Sequence, residues 1–299
     1  MNSVRFGFLQ EPAEFTWSAG QVQPLADHTR IVKKILAHPQ AYGGWLYPPL
    51  GPVMRDFKER KEVPQVRKEF TLPATHALLL NGSAHTDECV DFFITLFGML
   101  TGRRLQRDGW QHFYKAPLGR KLCDFDPFDH QIVEAMERAT QFWLRNPDQN
   151  TRKLAFGALH WHLFAQLYEH EFERFNAQYM ALDACWKLAQ QTWQGFPTNN
   201  IPHAKRAETL CTQLGVPAPS WVIAQPGETS CALVTRRNAL VHEAMYGDHP
   251  IGFVPSEDHG SMELGLVRLV ARILLSLLGM DNSYTRSECT TRQIFNFDF

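Results

Sequence analysis

The 299-residue chain contains no run of about 18 uncharged apolar residues, the minimum for a helical membrane span. Its most apolar stretch, LGLVRLVARILLSLLGM at 264–280, is broken by Arg268 and Arg272. These lie four apart on one helical face, which reads as the solvent or polar side of an amphipathic helix. Paired cysteine motifs are also missing. Cys89, Cys123, Cys185, Cys211, Cys231 and Cys289 are scattered through a chain too large to need disulfide stapling, so reduced thiols and a cytoplasmic location are expected. The first residues, MNSVRFGFLQEPAEF, lack the cationic start, apolar core and small-residue cleavage site of a secretion signal. Neither charge sign is in excess, with 30 basic against 31 acidic side chains and a net charge of −1. That balance excludes the broad cationic field of a general nucleic-acid binder and confines any RNA contact to local patches. Three basic clusters, VKK at 32–34, the run 55–68 and TGRRLQR at 101–107, read first as solvated faces. Internal repeats and low-complexity tracts are absent as well.

What is present is a globular composition, 44% hydrophobic and 12% aromatic, in a length that suits two domains. The first 80 residues are broken by Pro and Gly and carry short β-prone pieces, RFGFL, EFTW, KEFTL and HALLLNG. Helical patterns follow at HTDECVDFFITLFGMLTG and PFDHQIVEAMERATQFWLRN, and NPDQN then reads as a boundary. Residues 151–193 contain no proline and form one long helix or two stacked ones. Three further helical stretches follow, HAKRAETLCTQLG, ETSCALVTRRNALVHEAM and SMELGLVRLVARILLSLLGM, and the tail RQIFNFDF alternates like an edge strand. The expected fold is α+β: a small mixed or β-rich N-terminal domain over 1–148, followed by an all-α bundle over 149–299.

ALVTRRNALVHEAM at 232–245 places polar groups on a helix that is otherwise apolar. At 100° per residue, Leu233, Leu240 and Ala244 are expected to face the core. Asn238 and His242 share a face, with Arg237 one step round from Asn238. One reading is structural: Arg237 pairs with a carboxylate of the long helix, Asn238 bonds a neighbour and His242 caps the helix end.

The other reading comes from a resemblance. Arg237-Asn238-Ala239-Leu240-Val241-His242 resembles the Arg-x4–6-His signature of the HEPN superfamily, in which a polar residue, commonly Asn, follows the arginine. FERFNAQYMALDACWKLA at 172–189 resembles the long first helices of the Apea-like HEPN group, and RAETLCTQLGVPAPSW resembles the connecting helix and turn. The resemblance covers residues 150–280 and implies a HEPN-like helical bundle. It further implies a metal-independent endoribonuclease in which the Arg and His of two protomers face one cleft, as in a toxin or anti-phage system. Histidine suits the proton steps because its pKa lies near 6.5, and arginine suits the phosphate because its fork donates bidentately and keeps its charge. Arg237, Asn238 and His242 are thus the candidate catalytic set, with Asp183 and Arg236 in support. Asp183 is expected to pair with an arginine of the signature helix.

RNA and a second copy of the chain are the expected partners, an antitoxin, phage or effector protein is a further one, and no membrane or cofactor is expected. The runner-up is a non-catalytic HEPN dimerisation or ligand-binding module, and a structural scaffold for a separate effector stands third. His160, His162 and His170 read as core or surface histidines rather than metal ligands, and Glu169, Glu171 and Glu173 as a solvated helix edge. Trp110, Phe113 and Tyr114 read either as base-stacking groups or as a hairpin packed on its own domain, and the loop 248–260 as a substrate gate or a plain connector.

Overall fold

The computed structural model describes residues 3–56, 58–66, 68–81, 86–119, 124–197, 201–246, 249–251 and 260–290. The fold is α+β, with antiparallel sheets over residues 3–117 and a largely helical remainder. The chain divides into two compact units, Met1–Gly98 with Arg103–Lys121, and Met99–Gly102 with Leu122–Phe299.

The first unit is built on a five-stranded antiparallel sheet in the order Gln106–Arg107, Ser3–Gly7, His76–Leu80, Gly20–Pro24, Phe15–Trp17. All four β-prone pieces of the sequence contain strands, the KEFTL segment contributing Glu69–Thr71, which pairs with Gln111–Phe113. Gly20 lies opposite Leu80, where a Cβ would come within 2.4 Å of the Leu79 carbonyl oxygen, so only glycine permits that approach. Helix α1 (His28–Leu36) has no counterpart in the sequence-based reading. Its Ile31, Val32 and Ile35 pack against a cluster that includes Phe8, Leu46 and Phe70, while Lys33 and Lys34 stay exposed. The VKK cluster is therefore the solvated edge of an amphipathic helix. Helix α2 (Asp87–Leu100) lays aromatic residues on the sheet, with Phe93 5.7 Å from Trp17 and Phe97 5.2 Å from Phe15 between ring centroids.

The second unit contains α3 (Asp129–Arg145), α4 (Gln149–Ala165), α5 (Glu171–Thr192), α6 (Arg206–Leu214), α7 (Ala232–Glu243) and α8 (Gly260–Leu277). A two-residue ladder, Met245–Tyr246 with His249–Pro250, interrupts the helical pattern. The proline-bearing NPDQN is the turn between α3 and α4, where Asp148 caps α4 by accepting the Thr151 N–H at 2.8 Å. The expected boundary at 148/149 falls inside this unit. The segment leading into α3 is tied in by Asp124, which meets Arg268, Arg272 and Tyr284. The 43-residue stretch resolves into two helices, α4 and α5, packed against each other, and α5 also packs on α8.

One expectation for α8 is corrected. Arg272 does not mark a solvent face: its side chain is 0% exposed and bonds Asp124, the Tyr284 hydroxyl and the Ser287 carbonyl. A charge can lie inside an apolar helix when a carboxylate and several acceptors enclose it. Cys89, Cys185, Cys211, Cys231 and Cys289 are free and buried, and Cys123 lies outside the described residues, as does the tail 291–299. Among the described residues, no helix is long and apolar enough to cross a membrane.

Candidate functional site

Helix α7 is anchored by Leu233 and Val234, both buried. Leu240 is only half-buried, and Ala244 does not face the core. It is exposed in the left-handed region at φ 54°, where it ends the helix by returning its N–H to the Ala239 carbonyl. The apolar face is therefore shorter than the periodicity indicates, and the last turn of α7 stands at the surface.

The two adjacent arginines diverge. Arg236 turns inward to an ion pair with Glu263 of α8 at 2.5 Å, and Glu263 is 6% exposed. The Tyr246 hydroxyl donates to the same carboxylate oxygen, and the Arg236 guanidinium lies 5.6 Å from the Tyr246 ring centroid. Burial and the Glu263 hydrogen bond hold the Tyr246 phenol protonated, well above its ordinary value. On this side of α7 the arginine is held in a structural ion pair.

Arg237 turns the other way. Its Nη1 donates to Asn238 Oδ1 at 3.0 Å and meets His242 Nε2 at 3.1 Å, so the candidate catalytic residues meet at one guanidinium nitrogen. Because arginine has no acceptor, Nε2 supplies its lone pair and the neutral imidazole carries its proton on Nδ1. His242 is exposed and Arg237 half-buried. Among the described residues, Nε and Nη2 of Arg237 make no hydrogen bond, which leaves one edge of the fork for an anion.

Behind this set lies a layer of which sequence reasoning named only Asp183. The Arg237 guanidinium stands 5.9 Å from the ring centroid of Tyr179 on α5. The Tyr179 hydroxyl bonds His203 Nδ1 at 3.0 Å, and His203 Nε2 faces Asp183 at 3.6 Å. Burial lowers the His203 pKa; Asp183 opposes this, and Arg206 and Arg237 reinforce it. Burial, helped by Asp183, raises the Tyr179 phenol far above its ordinary range. A neutral His203 with its proton on Nε2 satisfies both neighbours, with Tyr179 as donor to Nδ1. Asp183 therefore does not pair with an arginine of α7. It serves His203 and, at 3.9 Å, Arg206, while Glu263 takes the expected role toward Arg236.

The other candidates separate from this site. In the first unit, Arg103 pairs with Glu11 at 2.8 Å, Arg107 pairs with Asp87 at 2.7 Å and with Asp91, and Arg104 lies 5.8 Å from the Trp110 ring. The TGRRLQR charges are thus engaged within their own unit, although Trp110, Phe113 and Tyr114 are exposed. His162 is buried against Gln178 at 3.0 Å, His160 stacks on Phe164, and His170 lies at the N-cap of α5. Among the described residues, no group of three His, Cys, Asp or Glu side chains could hold a metal. Residues 252–259, most of the candidate gating loop, lie outside the described residues. No family model, curated protein or solved structure matches the chain, so its chemistry must be read from the arrangement of these side chains.

Proposed function

We propose that the second unit is a HEPN-type, metal-independent endoribonuclease that works as a cytoplasmic homodimer, in the manner of a toxin or an anti-phage nuclease. The observation that carries the reading is the 3.1 Å contact between Arg237 Nη1 and His242 Nε2, with Asn238 on the same nitrogen. A phosphate offers Arg237 a stronger acceptor than a neutral imidazole does. Its arrival draws the guanidinium away and frees the Nε2 lone pair. His242 then takes the proton of the 2′-hydroxyl, the 2′-oxygen bonds phosphorus, and the bond from phosphorus to the 5′-oxygen breaks as a second His242, in the partner copy, passes on a proton it has taken from solvent once its own Arg237 contact is released. Arg237 neutralises the charge that develops on the phosphorane. Asn238 steers the guanidinium, and Arg236 holds α7 in place through Glu263.

The test is incubation of the purified full-length protein with total and structured RNA in EDTA. The expected products carry 2′,3′-cyclic phosphate and 5′-hydroxyl ends, and DNA, which lacks the nucleophile, is spared. Light scattering should give a dimer mass; a concentration-independent monomer would remove the composite cleft. One observation favours a second reading. In the single chain Arg237 Nη1 is already engaged by Asn238 and His242 of its own helix, as expected of a non-catalytic HEPN dimerisation or ligand-binding module. RNA left intact under every condition selects that reading.

A further inference from the structure

A cleft of about 390 Å³ lies among α4, α5 and α7, beside the Arg237 site, within the range of roughly 300–1,000 Å³ usual for small-molecule sites. We propose that this cleft binds one unpaired nucleobase of the RNA strand whose phosphate Arg237 holds, the choice of polymer resting on the ribonuclease reading.

The placement follows from helix geometry. Phe172, Asn176 and Met180 recur every four residues on α5 and so form one stripe along the cleft, and Ala177 adds no bulk to the wall. Opposite them stands Val241, one turn beyond Arg237 on the same face of α7 and about 6 Å along its axis. On α5, Met180 directly follows Tyr179, whose ring the Arg237 guanidinium approaches. The cleft and the catalytic candidates are thus adjacent along both helices.

The lining identifies the chemistry. Trp161, Tyr168 and Phe172 are half-buried rings that offer stacking surface, and Met180 and Val241 are 41% and 50% exposed, large apolar groups left in solvent. Aromatic surface with a few hydrogen-bonding groups is what a splayed-out base requires. Asn176 supplies both a donor and an acceptor and makes no hydrogen bond among the described residues. Glu173, whose Oε2 accepts the His170 N–H at the start of α5, offers its other oxygen to an exocyclic amine. Among the described residues no cation lines the cleft, and the Glu173 carboxylate repels phosphate, so the base enters here and the phosphate stays with Arg237.

Fluorescence anisotropy with the full-length protein tests this, using a non-hydrolysable 2′-O-methyl decamer without secondary structure and a blunt-ended duplex of the same length. Phe172→Leu, which keeps the apolar volume and removes the ring, and Trp161→Ala should each weaken decamer binding about ten- to a hundred-fold and leave duplex binding unchanged, the loss of one base–aromatic stack. Asn176→Ala, at an exposed position with no folding role, should reduce the preference among A, C, G and U homopolymers. Binding of the decamer with wild-type affinity by all three folded variants overturns the proposal. So does a shift from dimer to monomer in these variants at unchanged RNA affinity, which would make the cleft a seam between two copies. A wild-type protein that binds the decamer through these residues yet cleaves no RNA sustains the base site and removes only the nuclease reading.

Discussion

The two sides of α7 solve opposite problems with the same residue type. On one side Arg236 meets a carboxylate that is 6% exposed and a phenol that closes over it, so the charge is spent on holding α7 to α8. On the other side Arg237 has no carboxylate among its described partners. It bonds an amide and an imidazole, keeps one edge of its fork open, and stands over the ring of Tyr179. A cation paired with a buried carboxylate holds the fold; one oriented by neutral groups keeps its charge available. Neighbours in sequence thus differ in their partners because one helical step points them into different surroundings.

The contrast is broken most strongly on the buried side. Glu263→Gln removes the carboxylate from Arg236 and should cost roughly 3–5 kcal/mol in chemical unfolding, while Tyr246→Phe, which loses one hydrogen bond, should cost about 1 kcal/mol. Equal and negligible effects would mean that the Arg236 side is not structural. Acid should act next. His76 and His112 in the first unit and His162 in the second are pushed down to about 4, in each case chiefly by burial. The unfolded chain takes up these protons near pH 6.5, so stability is full above that value and falls as pH drops from about 6.5 to 4, by up to about 3 kcal/mol for each histidine. Melting temperature recorded across that window checks it, and a flat curve would contradict the burial of neutral imidazoles. The smallest effect belongs to Asn238. Asn238→Ala leaves the contact of Arg237 with His242 and should slow cleavage by about 1 kcal/mol, roughly five-fold, without changing the melting temperature.

Much of this was legible in local sequence. Capping residues, breaks at Pro and Gly, and apolar periodicity located α2, α3, α6, α7 and α8; the contact of Arg237 with His242, five residues apart, is not fixed by helical spacing and shows only in the structure. What was not legible depends on distant partners. Lys33 and Lys34 drew attention to charge and concealed the apolar stripe of α1, whose value appears only when Phe8 and Phe70 pack on it. Arg272 looked solvent-facing because Asp124, its carboxylate, lies 148 residues away in the chain. Tyr179 is not singled out within 172–189 and His203 carries no motif; Tyr179 meets Arg237, and His203 meets Tyr179, only because α5, the turn before α6 and α7 converge. Asp183 was assigned to α7 on charge alone, whereas His203 and Arg206 are its neighbours and Glu263 is closer to Arg236.

The most direct test of the division within α7 is a paired measurement on wild type, Arg237→Ala and His242→Ala: the rate of RNA cleavage in EDTA and the unfolding free energy of the same preparations. The expected result is a loss of about a hundred- to ten-thousand-fold in cleavage for each variant, with unfolding within about 0.5 kcal/mol of wild type, as fits exposed groups that act on a substrate. Variants that cleave like wild type, or that lose cleavage only in proportion to lost stability, would contradict it and return Arg237 and His242 to the role of a packed helix end.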